Sequence, residues 1–294
     1  MTVSSARAVG AGTLLPGEAT VLPRASGENF PVATLLVGRR RASQLTAIYG
    51  FARLVDTLGD ELPGNREAAL ELLEQELTRV YEGTPEHPLM RRLAVAVREC
   101  ELPPEPFLRL IEANRRDQVQ KSYATFDELL SYCELSANPV GELVLHVFGA
   151  ATDERIALSD RICTALQLIE HWQDVAEDAA HGRIYLPQED MREFRVTPAD
   201  LQGERTGKEL RCLLAFEAER TRRLLEEGAP LVGLLHGRAR IAVSGYVGGG
   251  RAALRALVAS EYDVLRGPPK AARAARLRAV LAAYAARGSS GGTP

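Results

Sequence analysis

Two stretches of this chain, more than a hundred residues apart, each run a polar stripe ending in Asp-x-x-x-Asp along an apolar helical pattern. In ASQLTAIYGFARLVDTLGDE (42–61), Tyr49, Arg53, Asp56 and Asp60 stand at offsets 0, 4, 7 and 11. That spacing keeps them on one face of a helix, with Leu45, Ile48, Ala52 and Val55 as an apolar flank. In ALQLIEHWQDVAEDAAHGRIYLPQED (165–190), Gln167, His171, Asp174 and Asp178 repeat the pattern. A single aspartate pair at this spacing is ordinarily a solvated face. Two of them on well-formed apolar helices constrain the fold more tightly, because each stripe needs a polar space to face.

Like charges make such a space costly. Two unit charges about 6 Å apart repel by roughly 3 kcal/mol at an effective dielectric of 20, and four carboxylates around one cavity would be pushed toward protonation. A divalent cation relieves this. Mg²⁺ takes hard oxygen ligands and shares one or two carboxylates with a substrate phosphate. The paired stripes therefore read as a site for a metal-bridged diphosphate, with the four aspartates on opposite walls of one deep cavity.

The rest of the chain agrees with a helical bundle. Apolar residues recur at three and four, as in Leu70, Leu72, Leu73, Leu77 and Val80, while strand-like alternation is nearly absent. Breaks fall at GTPEHP (83–88), LPPEP (102–106), Gly182, VTPAD (196–200) and RGPPK (266–270), leaving roughly ten helical segments with boundaries good to a few residues. Residues 1–22 and 287–294 read as disordered or loosely attached ends, and 23–286 as one all-α domain. A net charge of −3 argues against a nucleic-acid partner. Cys100, Cys133, Cys163 and Cys212 are scattered, with no metal-ligand spacing, and read as reduced thiols of a cytoplasmic protein. No run of about 18 apolar residues is present to span a membrane.

FARLVDTLGDE (51–61), DQVQKSYATFDELLSYCELSANPVGELV (117–144) and the segment 165–190 together resemble the squalene/phytoene synthase family, over roughly residues 26 to 266. The resemblance implies a single-domain bundle of the isoprenoid (trans-prenyl) synthase type with a central cavity. There, Mg²⁺ is held against a prenyl diphosphate by two aspartate-rich helices. Carried over, Asp56, Asp60, Asp174 and Asp178 are catalytic and metal-facing, with Glu177 completing the DxxED form. Arg53 and Arg183 match diphosphate-binding arginines. Tyr49 and Gln167 fall at cavity positions, and Asn138 is a further substrate-binding candidate, with helix packing or capping as its alternative.

Departures from the family pattern bear on the reaction. Leu135 stands where condensing members usually carry a tyrosine soon after the Tyr-Cys dipeptide, and Asn138-Pro139 replaces a Gly-x. Gln173 precedes Asp174, where an arginine is common, and Glu170 replaces a metal-binding asparagine. ENFPVA (28–33), YCELSANPVG (132–141) and HWQDVAED (171–178) resemble the bacterial hydroxysqualene synthases of hopanoid pathways. That resemblance implies presqualene diphosphate and water as substrates, an upstream enzyme supplying the former, and no NADPH. The alternatives are a head-to-head synthase making presqualene diphosphate, squalene or phytoene, and a non-catalytic assembly or lipid-binding protein.

Three other features invite readings. SGYVGGGR (244–251) lacks the nucleotide-loop patterns and reads as a close helix contact or kink. His171 reads as a packed histidine rather than a base, and Asp117 and Tyr123 as residues that order a loop. Lys270, Arg273, Arg276, Arg278 and Arg287 share a terminal stretch with Leu277, Val280, Leu281 and Tyr284 and no acid. Such a helix either caps the bundle or lies peripherally on the inner face of an anionic membrane.

Overall fold

The computed structural model of the chain describes residues 15–16 and 38–286. The expectations for residues 1–22 and 287–294, and the segment ENFPVA, fall outside them, Leu15 and Pro16 excepted. Among the described residues the fold is all-α. The one β-bridge, Ser122 with Ile184, is isolated.

The first lobe comprises α1 (Arg39–Asp56), α2 (Arg66–Glu82), α3 (Pro88–Cys100) and α4 (Glu105–Val119). A five-residue π turn, Thr57–Glu61, extends α1. Their boundaries follow local chemistry. Asn65 caps α2 by accepting from Ala68 N, and Gly83 ends it at φ +84°. Pro88 opens α3, where a missing N–H costs nothing. Leu54, Leu58, Leu70, Leu73, Met90 and Phe107 are fully or almost fully buried in one apolar cluster. Leu15 joins it, and the Pro16 carbonyl lies 3.1 Å from His87 Nε2.

The second lobe runs from α5 (Phe126–Ser136) and α6 (Asn138–Val147) to α7 (Asp153–Gln173), α8 (Val175–Ala180) and α9 (Gln188–Glu193). Then follow α10 (Lys208–Gly228), α11 (Leu231–Leu234), α12 (Gly237–Ala259) and α13 (Arg273–Ala285). Leu129, Leu168, Trp172, Leu213, Leu214, Val247 and Leu257 form its core. Trp172 lies at its centre, its indole N–H donating to Thr221 Oγ1 at 2.8 Å. Phe148 packs against both clusters, while Leu143 and Val144 of α6 belong to the first and Leu145 to the second. The two lobes thus share α6, and one aspartate motif comes from each.

SGYVGGGR lies inside α12 and serves close packing. A Cβ on Gly248 would sit 2.5 Å from Val280 Cα of α13, and one on Gly250 would meet Leu225 and Leu166 at about 3 Å.

Candidate functional site

Each aspartate motif sits where its helix changes character. Asp56 is the last residue of α1, and Asp60 lies in the π turn closed by Leu62 N donating to Thr57 O. The turn needs a glycine: a Cβ on Gly59 would fall 2.1 Å from Asn114 Oδ1 of α4. This close approach lets Asn114 Nδ2 reach Asp56 Oδ1 at 3.4 Å and Gln118 Nε2 reach Gly59 O at 3.0 Å.

The second motif departs from the expected continuous helix. α7 ends at Gln173, and Asp174 takes φ −104°, ψ 17°, in the sparsely populated bridge region. α8 then starts at Val175, with Asp178 N still donating to Asp174 O. Gln173 reaches out of the break to Pro269 O at 2.6 Å.

Arg183 joins the two motifs. It leaves the turn after α8 with its N–H donating to Asp178 O, and its guanidinium donates to Asp60 Oδ1. That bond to Asp60 raises the Arg183 pKa still further, burial opposing it. Arg53 is half-buried and donates to Glu61 Oε1 at 2.8 Å; its Nε is buried without a hydrogen-bond partner among the described residues. Both guanidiniums donate to carboxylates of the first motif's π turn, Arg53 to Glu61 and Arg183 to Asp60, and planar forks of this kind suit a diphosphate.

Asp174 is half-buried, and its carboxyl is pushed up to about 6, by burial first and then by Asp178 and Glu177. Glu177 itself is exposed, as is Asp60. Among the described residues no three His, Cys, Asp or Glu side chains gather closely enough to hold an ion between them. His171, Asp178, Arg183 and Tyr185 bound a crevice of about 10 Å³ beside the second motif. The donor chemistry nonetheless fits a hard divalent cation: the crowding that Asp178 and Glu177 impose on Asp174 is what such an ion relieves.

Of the remaining candidates, Tyr49 is half-buried on α1, and Gln167 Nε2 lies 3.1 Å from His171 Nε2. Asn138 is buried at the start of α6 and accepts from Thr164 Oγ1 at 2.9 Å, so its carbonyl is engaged within the bundle. His171 is buried with its pKa lowered by burial, partly offset by Asp178. Its ring stacks on Tyr185 at 3.6 Å, and Nδ1 stands 3.9 Å from Asp178 Oδ2. The ring is thus packed between Gln167, Tyr185 and Asp178.

Asp117 contributes more than loop order. It is buried, accepts from Tyr132 OH at 2.7 Å, and faces the charges of Arg183 and Asp60. Burial pushes its carboxyl up to about 6. Tyr123, Tyr132 and Tyr185 pack around it with ring centroids 5.4 to 5.8 Å apart. Asn114, Gln118 and the packing of Tyr123 with Tyr132 and Tyr185 escape sequence reasoning. DQVQKSY (117–123) carries only Gln118 and Tyr123 of them, and only the packing of α4 on the π turn shows what Asn114 and Gln118 meet.

The squalene/phytoene synthase family model matches residues 23–278. A hydroxysqualene synthase of Rhodopseudomonas palustris is 36% identical over 208 residues, 69% of this chain and 70% of that one. A 15-cis-phytoene synthase of Synechococcus elongatus is 30% identical over 257 residues, 81% of this chain and 82% of that one. The crystal structure of a squalene synthase from Alicyclobacillus acidocaldarius superposes with a TM-score of 0.77 at 44% identity, covering 81% of this chain and 91% of that one. A dehydrosqualene synthase in complex with ligand gives a TM-score of 0.79 at 26% identity, covering 88% and 92%. With likeness of this extent in both sequence and fold, the chain belongs to the squalene/phytoene synthase family.

Proposed function

We propose that this enzyme converts presqualene diphosphate and water to hydroxysqualene and diphosphate. The observation that carries a diphosphate reaction is Arg183 donating to Asp60, which brings the two aspartate motifs to one place. Leu135, half-buried against the second core, favours the second half-reaction, because no tyrosine hydroxyl is offered there. The likeness to hydroxysqualene synthases supports the same reading.

Arg183 and Arg53 bind the diphosphate and stabilise charge on it as the C–O bond breaks. Asp56, Asp60, Asp174 and Asp178, with Glu177, would hold Mg²⁺, which when bound supplies Lewis-acid stabilisation of the leaving group. Tyr49 and Gln167 line the substrate's path. Tyr185 and Tyr132 offer aromatic faces that favour a nearby carbocation, and apolar walls keep bulk water from it. His171, stacked on Tyr185 and beside Asp178, serves as a packing residue in this reading. Water captures the rearranged cation, so the chain needs no nucleophile of its own.

A head-to-head condensation is the second reading, favoured by the likeness to phytoene synthases over most of the chain. One experiment separates them: purified protein with Mg²⁺ and no NADPH, given farnesyl diphosphate or presqualene diphosphate in separate tubes. Consumption of the second alone, with solvent oxygen-18 in the alcohol, is the expected result. A thirty-carbon product from farnesyl diphosphate overturns it.

A further inference from the structure

The terminal helix α13 packs through its small residues rather than its large apolar ones. Its small residues go inward: Ala279 and Ala283 are buried against α12, where Gly248 lets the two backbones meet. Its large apolar residues go outward. Leu277 is 61% exposed, Leu281 59% and Tyr284 43%. Spaced at i, i+4 and i+7, they form one ridge along the helix.

Charge surrounds that ridge. On a helical projection Arg273 and Arg276 flank it on one side and Arg278 on the other, all three exposed. Arg240 of α12 adds a fourth, its guanidinium 4.8 Å above the Tyr284 ring and donating to Tyr284 O at 2.6 Å. Exposed Lys270 and Arg266 precede the helix, and no acid follows Asp263 in a chain whose net charge is −3. Positive charge is therefore segregated to the end that carries the exposed leucines.

We propose that α13 docks this protein on an anionic lipid surface, the Leu277–Leu281–Tyr284 ridge entering the headgroup boundary and the arginines meeting lipid phosphates. The ridge is convex, and three side chains offer on the order of 300 Å² of apolar area, well short of the ~800 Å² per partner of a stable protein interface. Shallow insertion of one helical face between charged headgroups needs no more than this kind of ridge and its basic flanks. The placement also suits the site. The segment leading into α13 touches the second aspartate motif, through Gln173 bonded to Pro269 O and the charge of Lys270 acting on Asp174.

Flotation with vesicles tests this by binding alone, independent of any catalytic assignment. Full-length protein should float with phosphatidylcholine vesicles containing about 30% phosphatidylglycerol and bind pure phosphatidylcholine at least tenfold less, with the difference lost in high salt. Leu277→Ser/Leu281→Ser should lose at least tenfold. Arg273→Gln/Arg276→Gln/Arg278→Gln should lose about fivefold per charge, as ~1 kcal/mol for each surface arginine requires. Val95→Ser, an exposed residue on α3, should bind as wild type. No wild-type binding to the anionic vesicles, or equal binding by the leucine variant, overturns the proposal. So does a vesicle-free dimer that the leucine variant dissolves, which would assign the ridge to a second copy.

Discussion

The hydroxyl of Tyr132 donates to Asp117 Oδ2 at 2.7 Å, while Asp117 Oδ1 is buried without a hydrogen-bond partner among the described residues. One phenol therefore supplies the side-chain donor to a buried carboxyl that also feels Arg183 and Asp60. Tyr132→Phe should destabilise the fold by about 1–3 kcal/mol, the cost of leaving a buried polar group unpaired. Urea unfolding of the variant checks it, and an unchanged midpoint would show that the bond contributes nothing.

Arg183 joins the motifs, its backbone N–H on Asp178 O and its guanidinium on Asp60. Arg183→Gln should lower turnover by about 10²–10³, the loss typical of one donor to a developing anion. Arg183→Lys should recover only part of it, because an ammonium cannot reproduce the planar fork. Steady-state kinetics beside far-UV circular dichroism separate lost chemistry from lost fold. Asp174→Asn should likewise abolish turnover at saturating Mg²⁺ and leave the thermal midpoint within a few degrees of wild type.

Gly59→Ala tests the π turn. The added methyl lands 2.1 Å from Asn114 Oδ1, so Asn114 must give up its place beside Asp56. Overpacking of this kind costs about 1–3 kcal/mol. Pairing it with Asn114→Ala should restore most of the stability while turnover stays low. A double variant with wild-type turnover would show that Asn114 does not hold Asp56 for the reaction.

Burial pushes Glu217 up to about 8, against the bonds from Arg220 at 2.7 and 2.8 Å. The folded state holds this proton more tightly than the unfolded chain, whose glutamate titrates near 4.5. The contribution of this group to stability therefore falls as pH rises from about 4.5 to about 8, by no more than about 1.4 kcal/mol per pH unit for one proton. Glu217→Gln should flatten that part of the profile, as thermal melts at pH 5 and pH 8 would show.

Leu135→Tyr addresses the reaction. It fills volume beside the second core without building a second diphosphate site. Turnover of presqualene diphosphate should fall or be redirected, and farnesyl diphosphate should remain unconsumed. Product analysis with each substrate decides it.

The helical fold was readable because the apolar period of Leu70, Leu73, Leu77 and Val80 is a local property, and those four are the buried face of α2. Asp56 and Asp60 were readable as a pair for the same reason. What escaped depends on contacts between distant segments. The π turn follows from how closely Asn114 approaches Gly59, and the break at Asp174 lies beside the bond from Gln173 to Pro269. For Asn138 the sequence leaves substrate binding and helix packing both open, and the donation from Thr164, on another helix, is a contact of the second kind. The face of α13 was legible as a ridge, but its direction goes with the close approach of Gly248 to the Ala279–Val280 backbone.

The shared helix α6 has a consequence for how the protein takes a ligand. Because Asp56 and Asp60 ride on one apolar lobe and Asp174 and Asp178 on the other, a diphosphate gripping both motifs is a cross-link between two halves of the core. Its binding free energy then adds to the cohesion of the seam, by RT ln(1 + [L]/Kd) or about 2.7 kcal/mol at a hundredfold excess over Kd. Inorganic diphosphate with Mg²⁺ should raise the melting temperature of the whole chain in one step, and hydrogen exchange should slow first along α4 and α6, where the halves meet.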